Sequence, residues 1–66
     1  MTVVVNGERR ELQDETTVAD VVRSLVHVER GVAVAVDGEV VPRSAWATTQ
    51  LRDGHHVEVL RAVRGG

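Results

Sequence analysis

Gly65 and Gly66 close a sequence of 66 residues, and no other residues in it are better suited by type and place to do chemistry. Glycine has no Cβ, so a terminal pair reaches backbone conformations closed to other residues and can thread a narrow cleft. No side chain shields the last carbonyl from a nucleophile. At a background glycine usage of about 7%, such a pair is expected at a chain end by chance in well under about one sequence in a hundred. The competing reading is a frayed, solvated end, which is common at termini. The remainder of the sequence has to decide between them.

Other reactive side chains are scarce. There is no cysteine, so disulfides, thiolate metal sites and a thiol nucleophile are all excluded. Any sulfur or acyl chemistry must therefore use the terminal carboxylate. His55 and His56 are adjacent, and in a strand adjacent side chains point to opposite faces, so the pair does not chelate one ion. His27 falls near the expected end of a helix, where a cation suits the dipole. No metal ion and no bound cofactor is expected. No acid–base pair or activated nucleophile is set in a credible cleft, and a core this small seldom encloses a substrate. The chain reads as something enzymes act on, not as an enzyme.

Charge narrows the partners. Ten acidic residues against eight basic ones leave a net charge of −2, which lacks the clustered basic face of a nucleic-acid binder. All eight basic residues are arginine, so no lysine amine is present to accept an isopeptide bond. No stretch approaches the roughly 20 apolar residues of a membrane helix, and the start lacks a charged-then-apolar leader. A soluble, cytoplasmic protein is the expectation. A domain of this size buries only about 60% of the surface its unfolded chain exposes, so it holds one thin core.

The elements that must carry the tail follow from periodicity. Thr2 to Asn6 is a β-branched run, and Asn6-Gly7 is a strong hairpin signal because both residues tolerate positive φ. The return strand is expected from Glu8 to Leu12, with Leu12 on the core and the charged residues on a solvated face or edge. Val18, Val21, Val22, Leu25 and Val26 form one helical stripe. Thr17 with Asp20 resembles a capping box, and Gly31 can stop a helix of about ten residues. Val32 to Val36 is nearly all apolar, the pattern of a strand buried on both faces. Asp37-Gly38 turns the chain into Glu39 to Val41, and Pro42 interrupts the sheet. Ser44 to Thr49 is expected to form a short helical turn around Trp46. Asp53-Gly54 turns once more into a last strand in which Val57 and Val59 face the core. The order is β-β-α-β-β-β. One helix covers one face of a sheet, so the expectation is an α+β domain over residues 1–62, with residues 63–66 as a flexible tail.

With these elements in place, the sequence resembles the β-grasp, ubiquitin-like sulfur carriers, and most nearly the ThiS carriers of thiamine biosynthesis. The likeness runs through Asn6-Gly7-Glu8, Thr17-Val18, Val34-Ala35-Val36 and Asp37-Gly38-Glu39. It continues in Val41-Pro42-Arg43 with Trp46 three residues on, then Leu51, Asp53-Gly54 and Gly65-Gly66. The stretch Leu60 to Gly66 is also similar to the end of ubiquitin. Two departures stand away from the tail: Asp37 where the family commonly has Asn, and His55 where an acidic residue is common.

The resemblance implies a mixed sheet of four to five strands on one helix, and a chemistry. A ThiF-like enzyme, using ATP and Mg²⁺, would adenylate Gly66. Persulfide sulfur from a cysteine desulfurase or rhodanese-type donor would displace AMP, and reduction would leave a thiocarboxylate. That group would deliver sulfur to a ThiG-like thiazole synthase. Gly65, Arg64 and Val63 would be recognised with Gly66 in the partner's cleft, although Arg64 reads equally as a solvated charge. Leu60 and Ala62, out of phase with Val57 and Val59, suggest an apolar docking patch on the sheet face away from the helix. Trp46 reads first as core and second as a partner contact, and Arg43 as a loop cap or a stack on the indole. The alternatives are a molybdopterin synthase small-subunit-type carrier, which tends to be longer, to contain phenylalanines and to lack the Pro-Arg-x-x-Trp element, a ubiquitin-like protein modifier, and a plain interaction module with an inert end.

Overall fold

The valines that alternate along the first strand also decide where the helix sits. In the computed structural model, which describes residues 1–26 and 30–61, Val3 and Val5 of β1 (Thr2–Val5) are buried on one face. Asn6 and Gly7 then turn the chain with φ of 51° and 83°, both positive as a two-residue type I′ hairpin requires. The turn leads into β2 (Glu8–Glu11), a fully exposed antiparallel edge strand. Its Glu-Arg-Arg-Glu sequence places charge where an unpaired edge would otherwise recruit another chain. Leu12 lies just past the strand and packs against the core.

The helix α1 (Val18–Leu25) opens with the expected capping box. Thr17 Oγ1 accepts from the Asp20 N–H at 3.2 Å, and Asp20 Oδ2 accepts from the Thr17 N–H at 3.0 Å. These two bonds satisfy donors that have no partner within the helix. The helix is shorter than the stripe suggests. Val26 leaves it with extended φ and ψ of −133° and 149°, its N–H still bonded to Val22 O. β-Branched valine fits that extended conformation well. Gly31 lies beyond this end and does not terminate the helix.

Three strands complete the sheet. β3 (Val32–Val36) runs into a second type I′ turn, Asp37 (φ 50°) and Gly38 (φ 84°), and returns as β4 (Glu39–Val41). Pro42 ends β4 and leads into a 3₁₀ segment, Arg43–Thr48. β5 (His56–Arg61) follows the Asp53-Gly54 turn. The strand order is β2-β1-β5-β3-β4, so β5 occupies the centre. β1 and β5 are parallel and every other pairing is antiparallel. This is the expected α+β architecture, a five-stranded mixed sheet on one helix.

One expectation fails instructively. β3 is not buried on both faces: Val34 is fully buried, Ala33 is exposed and the others are intermediate. A single helix cannot cover two faces, and the alanines at alternate positions mark the open one. On the covered face, Val18, Ala19, Val21 and Val22 form one cluster with Val3, Val5, Val34, Val57, Val59, Trp46 and Leu51.

Trp46 settles as core. It is 3% exposed, and its Nε1–H donates to Val41 O at 2.9 Å, meeting the need of a buried indole for an acceptor. The 3₁₀ segment that carries it is tied to the helix start, where the Val18 N–H donates to Thr49 O and the Leu51 N–H to Thr16 O, each at 2.9 Å. No helix among the described residues is long and apolar enough to cross a membrane.

Candidate functional site

The central strand carries the chain toward its end, and its position follows from what pairs on either side. On one side β3 holds β5 along its whole length, from Val36↔Val57 to Val32↔Arg61. On the other, β1 pairs in parallel at Val4↔His56 and Val5↔Val57. Val57 and Val59 are buried, while Glu58 and Leu60 face away from the helix. That alternation is the period-2 pattern read from the sequence. Val63, Arg64, Gly65 and Gly66, expected to react or be recognised, lie outside the described residues, as do Ala62 and His27.

Where β5, β3 and β4 meet, the open sheet face carries apolar residues around a single carboxylate, Glu58. Registers place Leu60 beside Ala33, and Ala35 between Glu58 and Val40. Leu60 is 65% exposed and Val40 76%. Two large aliphatic side chains thus flank a floor of alanine, which leaves room for an inserted apolar side chain. The sequence reading found Leu60 but missed Val40. The missing signal was register: only the β3–β4 pairing brings Val40 onto the face that Leu60 shares. Toward the other end the same face becomes polar, with Val4 between Arg9 and His56.

The polar residues singled out from the sequence serve the loops. His55 precedes β5, and its Nδ1 accepts from the Arg52 N–H at 2.9 Å while Nε2 stands 3.9 Å from Asp37 Oδ2. The His56 N–H donates to Asp37 Oδ1 at 2.8 Å. Asp37 therefore joins the β3–β4 turn to the start of β5. Among the described residues, no group of three or more His, Cys, Asp or Glu side chains could hold a metal ion. Arg43 is exposed at the start of the 3₁₀ segment. Between β2 and α1 lies a cleft of about 150 Å³ lined by Val5, Arg10, Leu12, Val21, Ser24 and Leu25. Small-molecule sites usually enclose about 300–1,000 Å³.

One titrating group stands out. Asp20 is held below its ordinary value of 3.8, first by the backbone N–H of Thr17, then by the Thr17 hydroxyl and the neighbouring Arg23. Arg23 Nη2 lies 2.7 Å from Asp20 Oδ1. The causes are those of a helix cap, so this shift marks a structural device.

The chain is similar to known proteins over its whole length. It is 35% identical over 66 residues to a thiazole synthase of Paramagnetospirillum magneticum, covering 100% of this chain and 20% of that protein. It is 26% identical to the sulfur carrier protein ThiS of Escherichia coli K12, with both chains covered completely. Among solved structures it matches the crystal structure of the thiamine biosynthesis protein ThiS from Geobacter metallireducens with a TM-score of 0.82 and 32% identity, again covering 100% of both chains. The ThiS family matches residues 3–66, a span that takes in the open-faced sheet, the central β5 and both final glycines. With that match and the shared five-stranded fold, the chain belongs to the ThiS family of sulfur carrier proteins.

Proposed function

We propose that this protein carries sulfur for thiazole formation in thiamine biosynthesis, on the carboxyl group of Gly66. The observation that carries this reading is the family match extending through residue 66, supported by a fold whose central strand, β5, is the last described element and ends at Arg61. A carboxylate has a poor leaving group and resists attack at neutral pH. In the proposed sequence, one oxygen of the Gly66 carboxylate attacks the α-phosphorus of ATP in a ThiF-like enzyme, with Mg²⁺, and releases pyrophosphate. The terminal sulfur of a persulfide, from a cysteine desulfurase or rhodanese-type donor, then attacks the acyl carbon and expels AMP. A thiol cleaves the resulting acyl disulfide, supplying two electrons and leaving the thiocarboxylate. A ThiG-like thiazole synthase is the proposed acceptor. The similarity to a thiazole synthase that contains a stretch like this whole chain supports that pairing.

The chain's own contribution is physical. Ordering each residue of an end that enters a cleft costs about 1–2 kcal/mol in backbone entropy. Contacts from the folded body must offset that cost. The apolar face around Leu60 and Val40 is the proposed source, docking on an apolar surface of the adenylating enzyme. Val63, Arg64 and Gly65 are proposed to be read in the partner's cleft with Gly66.

Removal of Gly66 tests the reading. A strain carrying only the shortened chain is expected to require thiamine or its thiazole, and protein isolated from intact cells is expected to show replacement of one oxygen by sulfur. Growth of the truncated strain without the vitamin would overturn the carrier role. Loss of molybdoenzyme activity in its place would assign the other carrier pathway, and gel-shifted conjugates a protein modifier.

A further inference from the structure

β5 outruns β1, its neighbour on one side, while β3 pairs with it as far as Arg61 on the other. The β1–β5 register ends at Val5↔Val57, because Asn6 and Gly7 turn the chain away, yet β5 continues to Arg61. Asn6 takes over where the strand stops. Its N–H donates to Val57 O at 2.9 Å. Its side chain then meets Val59 with both ends of the carboxamide. Oδ1 accepts from the Val59 N–H at 2.8 Å, and Nδ2 donates to Val59 O at 3.3 Å. A carboxamide offers one acceptor and paired donors, the same groups as a peptide unit. The side chain thus adds a rung to the ladder that no β1 residue supplies, across 53 positions of sequence.

Turn chemistry alone does not explain this. Any residue tolerant of positive φ closes the hairpin, and glycine does so with least strain. Glycine would leave Val59 without either bond. Aspartate would keep the acceptor but set an anionic oxygen against Val59 O.

We propose that Asn6 is a positioning residue for the reactive end: by clamping Val59 it fixes the line along which β5 leaves the sheet, and hence how Gly66 enters a partner's active site. This rests on the carrier reading above. A docked body and an aimed tail are separable, since the apolar face around Leu60 does not include Asn6. Loss of the clamp should leave docking intact and slow the chemical step, because misplacing a reacting group by even about 1 Å can cost about a hundredfold.

The test uses the full chain with a ThiF-like adenylating enzyme, following ATP–pyrophosphate exchange against carrier concentration. Asn6→Gly keeps the turn and removes the clamp. It is expected to lower kcat about fivefold or more while the half-saturating concentration changes less than about twofold, the signature of an interaction felt in the reaction and not in docking. Asn6→Asp keeps one of the two bonds, is expected to fall between, and stands in should Asn6→Gly fail to fold. Thr17→Ala, which loses a helix cap far from β5 in sequence, controls for lost stability and is expected to keep kcat within about twofold. Amide exchange at Val59 should quicken in the Asn6 variants and not in Thr17→Ala. Unchanged kcat, an equal fall in Thr17→Ala, or unchanged protection of Val59 would each overturn the positioning role. A parent chain that supports no exchange would instead overturn the carrier reading, and the positioning role with it.

Discussion

Thr17 and Asp20 show how two side chains can do the work of missing backbone. The first turn of α1 has N–H groups without helical acceptors, and the reciprocal bonds between these residues satisfy two of them. Losing the hydroxyl in Thr17→Ala should cost about 1 kcal/mol, the usual value of an N-cap. The carboxylate adds a dependence on pH. Asp20 is stabilised as an anion in the folded chain, so its value lies below the ordinary 3.8. The stabilisation is then fully present above the unfolded value and is lost as pH falls from about 3.8 through the depressed folded value. Asp20 is solvent-exposed, so the effect is small. Asp20→Asn is expected to narrow the difference in urea midpoint between pH 7 and pH 3; an unaltered difference would remove Asp20 from the acid response.

At the scale of the element, β5 and β3 each do two jobs with alternate residues. Val57, Val59 and Val34 face α1 and are buried, while Leu60, Ala33 and Ala35 turn to the open face. A substitution on that outer row should therefore separate binding from folding. Leu60 is 65% exposed, so Leu60→Glu is expected to change stability by no more than about 0.5 kcal/mol, as surface changes usually do. Burying a leucine on docking is worth about 1.5–3 kcal/mol. Its replacement by an anion should raise the half-saturating concentration for adenylation about tenfold or more. Titration of the activating enzyme with both forms checks this, and equal half-saturation would exclude the face from docking. Leu60→Glu is thus expected to change docking, and Asn6→Gly the reaction.

For the molecule as a whole, the 3₁₀ segment works as a brace. Trp46 reaches from it into the core and bonds Val41 O on β4, while the same segment is pinned to the start of α1. One buried side chain thus couples the sheet edge to the helix. Trp46→Phe removes the donor and part of the buried volume, and is expected to cost about 2–3 kcal/mol. In a domain of this size each kcal/mol moves the melting temperature by about 4–8 °C. A fall of at least about 10 °C, followed by far-UV circular dichroism, is the expected result; a shift of only a degree or two would deny the brace. The tryptophan is the sole aromatic residue, so its fluorescence in the parent protein should report unfolding at the same midpoint as the dichroism if the domain is two-state.

Much of this arrangement was legible because its causes are local. Asn6-Gly7 and Asp37-Gly38 specify type I′ turns through their own φ preferences. Thr17 and Asp20 cap a helix three residues apart, and the valine spacings name the buried face of each element. The likeness in residues and the terminal glycines pointed to a carrier with no reference to geometry. Local signals also misled where tertiary context overrode them. The stripe through Val26 promised a longer helix than forms, and an all-apolar β3 looked doubly buried because alanine counts as apolar on either face, although the one helix leaves Ala33 exposed. Only the tertiary structure decided three things: the parallel pairing of β1 with β5, the placing of Leu60 and Val40 on one face on either side of β3, and the reach of Asn6 to Val59. Each joins residues far apart in sequence through hydrogen-bond register, and register is fixed only when whole strands assemble.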